Sequence, residues 1–412
     1  MNKIIFPSCI ILIISTLLGC TTQQIGIQQP TETLSTNSGS SLSKNTTTIN
    51  NFIVTDDLQP ITLNVNVIIL KRDKASKSNF DLSDPEEKKL LEDYFQRTNL
   101  SWSKFYKPAD LTGCYTGTDF YQDSKIRFKF YYHEIIDAKA WDFRTSGGDL
   151  ELKQYGKALP AKNWYLSYLD QKIHNDPTFV KGINIYMPVD GKVFDTYLKN
   201  KSKDYSLNNI QAAQLPSPTD LEATSSIFAP NRYLKYLMHR YQSTAQNNVK
   251  WEETRKWHID DAVGLAHELG HTLGLNHSNK YHGANKCGSS LMSQNWKDAR
   301  NYLQPTEILL AHQKTRETNL IQFVTEDSFL GNTFLIDQST LWTKTQRFYS
   351  HLKVTDNVTL TITEPIIMAP QAKIIFGKNA KIIFEKNGKI TYPNGKEFTG
   401  YVNKSTDTII KN

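Results

Sequence analysis

The chain has 412 residues with 39% hydrophobic and 11% aromatic side chains, enough to bury a sizeable core, and its length predicts two or three structural units. A mean hydropathy of −0.49 with 22% charged residues excludes a polytopic membrane protein. Lys+Arg 48 against Asp+Glu 41 gives a formal charge of +7, but the basic residues are scattered, so no nucleic-acid partner is expected.

The N-terminus carries the one long apolar run. Met1-Asn2-Lys3 supplies a short positive region and Ile4 through Leu18 the apolar segment that follows, which predicts a signal peptide over residues 1–19. The run is shorter than the ~20 residues that a spanning helix needs. It closes on Leu17-Leu18-Gly19-Cys20, which resembles a bacterial lipobox and implies cleavage before Cys20 and lipidation of that residue. Thr21 stands where Asp is associated with retention in the inner membrane of Gram-negative bacteria. The expectation is therefore an outer-membrane lipoprotein, facing the periplasm or the cell surface, with an extracellular location left open. Residues 20–57, crowded with Thr, Ser, Asn and Gln, cannot repay the entropy of ordering and are predicted to be a flexible tether.

The body is predicted over residues 58–325 and opens with a strand. Ile61 to Leu70 alternates behind Pro60, and after Asp84-Pro85 the stretch Glu86 to Tyr106 has Leu90, Leu91, Tyr94 and Phe95 near helical spacing. Further strands are predicted at Lys125 to Ile135, Gly182 to Met187 and Ser225 to Phe228, with a second helix at Ala161 to His174. After residue 325 Gly, Asn, Lys and β-branched residues alternate without helical pattern, predicting a small all-β module over 326–412. Within it Lys373-Ile374-Ile375-Phe376, Lys381-Ile382-Ile383-Phe384 and Lys389-Ile390-Thr391-Tyr392 recur every eight residues, with Asn379-Ala380 and Asn387-Gly388 as turn signals between them. A β-meander with two tight hairpins and a solenoid-like stack both fit this repeat, with adhesion or spacing as the module's expected work.

The chemistry concentrates between residues 258 and 278. His267 and His271 are four apart and so share one helix face, the spacing that two imidazoles need to grip one Zn²⁺. Glu268 lies beside the first ligand, where a carboxylate can serve as general base to a water. Gly274 permits a sharp turn that ends the helix and returns His277 as third ligand. His258 and His282 read as solvated or structural.

This pattern resembles the metzincin zinc endopeptidases, whose signature is His-Glu-x-x-His-x-x-Gly-x-x-His followed by a methionine turn. Cys287-Gly288-Ser289-Ser290-Leu291-Met292-Ser293 is similar to that turn, with Met292 placed beneath the imidazoles without ligating the metal. Ser278 after the third His is similar to the matrixin pattern, whereas the longer linker to Met292 resembles the pappalysin-like bacterial branch, and the subfamily stays open. Gln294 stands where astacins and serralysins carry a zinc-proximal Tyr. The resemblance implies an α+β catalytic domain, with a twisted five-stranded mixed sheet, a backing helix and the zinc helix above a cleft. A smaller subdomain after Gly274 would end in a helix starting near Gln304-Pro305-Thr306-Glu307. It further implies peptide hydrolysis with Glu268 as base, a peptide substrate bound along a sheet edge, and a specificity pocket near Asn295 and Trp296.

Cys9 leaves with the signal peptide and Cys20 takes lipid, so Cys114 and Cys287 remain in an oxidising compartment. A disulfide and two free thiols are both open from the sequence; the pairing would tie the β-rich part to the methionine turn. The expected function is a lipid-anchored zinc endopeptidase acting on extracytoplasmic protein. The alternatives are a surface adhesin with a degenerate protease-like domain, which would have no reason to keep Glu268, and a peptidoglycan amide hydrolase.

Overall fold

The computed structural model describes residues 58–108, 120–142, 167–200, 211–245, 262–277, 289–293, 300–406 and 408–411. Cys20, Cys114, Cys287, His258, Ser278, His282, Gln294, Asn295 and Trp296 lie outside them. Among the described residues no helix is long and apolar enough to cross a membrane.

In chain order the first part runs β1 (Ile61–Lys71), α1 (Pro85–Ser103), β2 (Ile126–Ile136), α2 (Ala138–Trp141), α3 (Ser167–Asn175), β3 (Ile183–Met187), α4 (Gly191–Asn200), β4 (Ala212–Ala213), β5 (Ser226–Phe228), α5 (Arg232–Ala245), α6 (Ala262–Thr272) and α7 (Pro305–Glu317). The strands form one sheet in the order β2-β1-β3-β5-β4, parallel except for β4, which runs antiparallel to β5 at the edge. β1, flanked by β2 and β3, buries Ile61, Leu63, Val65, Val67 and Ile69 on one face; its other face turns apolar only at Ile68 and Leu70, after Thr62, Asn64 and Asn66.

α1 starts where the sequence places a cap. The Asp84 side chain accepts from the Glu86 and Glu87 amides at 2.9 and 3.3 Å, and Pro85 supplies a first-turn residue that needs no bond of its own. The helix buries Leu90, Leu91, Tyr94, Phe95 and Trp102, and the Trp102 indole donates to Ala266 O of α6 at 3.1 Å. A polar row crosses the sheet under α3, where Asn66, Asn184 and Ser226 stand in register. Buried Asp170 of α3 accepts from Asn184 Nδ2, Tyr186 Oη and Ser226 Oγ, so this row is satisfied. Burial holds the Asp170 carboxyl above the usual carboxylate range despite these donors.

After a 3₁₀ turn at Asn319–Phe323 the chain is sewn to β1: the Thr325 amide donates to Thr62 O and the Thr62 amide to Ser328 Oγ. It then winds into coils of three strands. β6 (Thr333–Ile336), β7 (Thr340–Trp342) and β8 (Gln346–Phe348) make the first, and β9 (His351–Val354), β10 (Thr359–Ile362) and β11 (Ile366–Met368) the second. β12 (Ile374–Phe376), β13 (Lys381–Phe384) and β14 (Ile390–Thr391) make the third, and β15 (Tyr401–Val402) and β16 (Ile409–Lys411) follow. Every pairing among these strands is parallel and joins strands one coil apart, in three sheets ordered β15-β12-β9-β6, β16-β13-β10-β7 and β14-β11-β8. The interior is a set of apolar ladders such as Leu352 on Ile374 and Leu360 on Ile382.

The meander reading is thereby corrected. The eight-residue repeat is the three sides of one coil, and no hairpin forms between its copies. At the corners Asn357 and Asn379 adopt positive φ (59° and 58°), and the strand beyond each pairs in parallel with the coils on either side rather than with the strand before it. The two asparagines stack, with Asn379 Nδ2 donating to Asn357 Oδ1 at 3.0 Å. A Cβ at Gly388 would lie 2.0 Å from Ile362 O, so only glycine allows the coils to approach there.

Candidate metal centre

α6 presents His267 and His271 one turn apart, and the chain beyond it presents His277; their ligand atoms all lie within 4.8 Å of one another. His271 Nε2 stands 3.1 Å from Nε2 of both His267 and His277. His267 and His271 are fully buried, and so is Glu268 between them.

The local backbone sets this convergence. α6 ends in a turn in which the Leu275 amide reaches Gly270 O and the Gly274 amide reaches His271 O, each at 2.9 Å. Gly274 has φ +84°, and a Cβ there would lie 2.6 Å from Lys314 Cγ of α7, so glycine is required for both conformation and space. The same turn aims the Leu275 carbonyl at His271 Nδ1, 2.8 Å away. The carbonyl of Leu291, in the segment that precedes Met292, meets His267 Nδ1 at 2.7 Å.

Those two carbonyls assign the tautomers, because a carbonyl only accepts, so Nδ1 carries the proton in both rings. In a neutral imidazole Nε2 is then a bare lone pair. Burial is the main cause that pushes His267 well below its ordinary range and His271 and His277 to about 3 and about 4, with neighbouring histidines and the Arg300 charge acting the same way. The rings are thus neutral at physiological pH, and the His267–His271 contact sets one Nε2 lone pair against another, which is repulsive unless a cation lies between them. Two nitrogens bound to Zn²⁺ at ~2.0–2.1 Å with tetrahedral angles stand about 3.3 Å apart, close to the separation here. This group of three histidines could hold a metal ion.

Met292 is fully buried. A Cβ on Gly270 would meet its Sδ at 2.3 Å, so the thioether fills the gap that glycine leaves on α6 between the two ligands. Leu291 and Met292 are held from behind: the Leu291 amide donates to Tyr302 O at 2.8 Å and the Met292 amide to Ser290 Oγ at 3.1 Å. Sequence reasoning missed Gly270 and Trp102 as supports of the centre, and the carbonyls of Leu275 and Leu291. Backbone acceptors leave no side-chain signature; Trp102 stood at the end of an apolar stripe and could have been suspected. The edge strand β4 packs beside α6, and among the described residues no strand pairs with its outer edge.

No family model matches this chain, and no curated protein does. Among solved structures, wild-type OgpA from Akkermansia muciniphila aligns with 63% of this chain and 62% of its own length, at 14% identity and a TM-score of 0.25. The chain therefore spans less than two thirds of that protein, and a score this low carries no argument about fold or activity.

Proposed function

We propose that the chain is a zinc-dependent endopeptidase with a metzincin-like catalytic domain, hydrolysing peptide bonds of extracytoplasmic proteins. The observation that carries this reading is the convergence of three imidazole Nε2 atoms, those of His267 and His271 bare lone pairs, with the buried Glu268 on the same helix as those two. The donor set is all nitrogen and three-membered, the composition of a catalytic rather than a closed structural zinc site. Zn²⁺ held there supplies Lewis acidity, polarising a peptide carbonyl and acidifying a water.

The rest is the work of this chain's own residues. His267 and His271 are kept as Nε2 donors by Leu291 O and Leu275 O, an orienting role that typically matters tenfold or more for metal affinity (~10–100-fold). Glu268 takes the proton of the attacking water and passes it to the leaving amine nitrogen, and its burial keeps that proton from bulk solvent. The outer edge of β4, unpaired among the described residues, offers backbone groups to an extended substrate beside the helix that carries the base. The signal and Cys20 support lipid anchoring at the outer membrane, and Cys114 paired with Cys287 would brace the methionine turn.

The test is cleavage of denatured casein by the chain, run beside Glu268→Ala with metal content measured on both. The expected result is zinc in both proteins, cleavage by the parent alone, and loss of cleavage with a chelator. A general base contributes ~10²–10⁴-fold, so residual activity of the variant should be at or below about one hundredth. No metal in either protein, or equal cleavage by both, would sink the reading.

A further inference from the structure

The first coil of the solenoid ends in an aromatic floor. Phe334, Trp342 and Phe348 occupy the inward register of β6, β7 and β8, with Trp342 and Phe348 stacked at 5.3 Å and 11° and Phe334 edge-on to both. A solenoid end of this kind needs a cover. Here the cover is partial: the 3₁₀ turn packs on β8, Lys344 Nζ ties the coil to Thr219 O at 3.0 Å, and between them a cleft of about 360 Å³ stays open.

One wall of that cleft is the C-terminal turn of α7. The Arg316 guanidinium lies 4.7 Å over the Phe334 ring, and its Nε is buried with no hydrogen-bond partner. Among the described residues Arg316 makes no hydrogen bond or ion pair with any of its donors. A half-buried guanidinium on an aromatic face, with its fork unused, is poised for a carboxylate. The mouth is mixed: Leu335 and Leu341 are exposed at 38% and 54%, and of the two carboxylates in the lining, Glu317 accepts from Gln313 Nε2 and Asp337 lies at the end of β6. β6 and β7, which carry those leucines, are the last strands of their sheets and have unpaired outer edges among the described residues. Unpaired edges, two exposed leucines and one free cation suit an extended polypeptide better than a sugar, which would leave the leucines and the edges unused. The facing wall, Pro218 and Leu221, belongs to the segment that follows β4, the strand packed beside α6.

We infer that the cleft between α7 and the first coil is an exosite for the polypeptide substrate, in which Arg316 pairs with an Asp or Glu flanked by apolar residues. This rests on the endopeptidase reading and adds a recognition element away from the scissile bond.

The test is peptide binding without turnover. Fluorescent ten-residue peptide pools, free of other acids and fixed at the centre as Leu-Asp-Leu or Leu-Asn-Leu, are titrated by polarisation against the full chain carrying Glu268→Gln. The acidic pool should bind about tenfold more tightly, the factor expected for one charge-assisted hydrogen-bonded pair. Arg316→Gln should abolish the preference and leave neutral-pool binding in place, and Arg316→Lys should restore part of it. Leu341→Asp, at an exposed site with no core to disturb, should weaken acidic-pool binding even if the Arg316 variants fold poorly. Equal binding of the two pools, or a preference that survives Arg316→Gln, overturns the inference. So does binding of a uronate oligosaccharide with no peptide binding, which would make the cleft a saccharide site. Peptide preference without casein cleavage by the parent would fail the endopeptidase reading alone, and cleavage without preference would fail the exosite alone.

Discussion

His312 gives the sharpest quantitative handle on how the centre is held. It is buried on α7, and its Nε2 donates to Ser124 O at 2.7 Å; Ser124 Oγ in turn donates to Trp102 O, and the Trp102 indole donates to Ala266 O of α6. Burial, with the Arg316 charge adding to it, brings His312 down to about 4, against an ordinary value of 6.5. Between these values the unfolded chain takes up a proton that the native chain refuses. The stability His312 allows is therefore whole above about pH 6.5, falls as the pH drops towards about 4, and is flat below that. At 1.36 kcal/mol per unit, the full loss is about 3 kcal/mol, of which about 2 kcal/mol has gone by about pH 5. The perturbation is His312→Gln, whose amide can still donate to Ser124 O but has no proton to gain. Urea unfolding of both chains in chelator, at several pH values from about 7.5 to about 4, reads the difference. The metal ligands add their own pH dependence, but equally to both chains, so it cancels. The stability gap between parent and variant should shrink or reverse by about 2 kcal/mol between about pH 7.5 and about pH 5. A gap that stays constant would refute the account of His312 as a buried neutral imidazole.

Two further substitutions probe the supports of the centre and of the solenoid. Gly270→Ala places a methyl against the Met292 thioether and should cost ~1–3 kcal/mol, as overpacking of a full core does. In thermal or urea melts Met292→Ala should rescue part of that loss, and strict additivity would show that the two residues do not share the space. Asn379→Ala puts an ordinary side chain at φ 58° and breaks the stacked amide pair, for a loss of about 1–2 kcal/mol. Asn379→Gly, which keeps the conformation available, should lose less; equal losses would place the whole effect in the amide pair.

How far the sequence carried the reading depended on which atoms do the work. The helix over His267, Glu268 and His271 and the turn at Gly274 were legible because side-chain spacing encodes them. The strands at β1, β2, β3 and β5 and the helix at α1 were legible from alternation, spacing and the Asp84-Pro85 cap. β4 was not, since Ala212-Ala213 is too short to show a period and is defined by its antiparallel partner β5. α4 and α5 were missed as well. In α5 the buried Tyr233, Leu234, Tyr236 and Met238 do share one side, and no capping Ser, Thr or Asp before Arg232 marked its start. In the solenoid the eight-residue period was visible, but it was compatible with hairpins because the sequence records turn residues and not whether a turn reverses the chain. That was settled by parallel pairing across a whole coil.

The helix α7 shows why the centre and the solenoid belong to one argument. Lys314 packs its stem against Gly274, the turn that delivers His277. His312 reaches Ser124 and, through Trp102, the body of α6. Arg316, four residues on and therefore on the same face as His312, leans over Phe334 at the solenoid's first coil. Close packing transmits displacement rather than absorbing it, so a ligand that draws Arg316 towards the cleft also acts on the helix that braces α6 and the turn to His277. The charge of Arg316 already lowers His312 from one turn away. Pairing it with a carboxylate would relieve part of that depression and shift the pH window of His312 upwards, so peptide binding in the cleft should be readable in the same difference curve that tests His312.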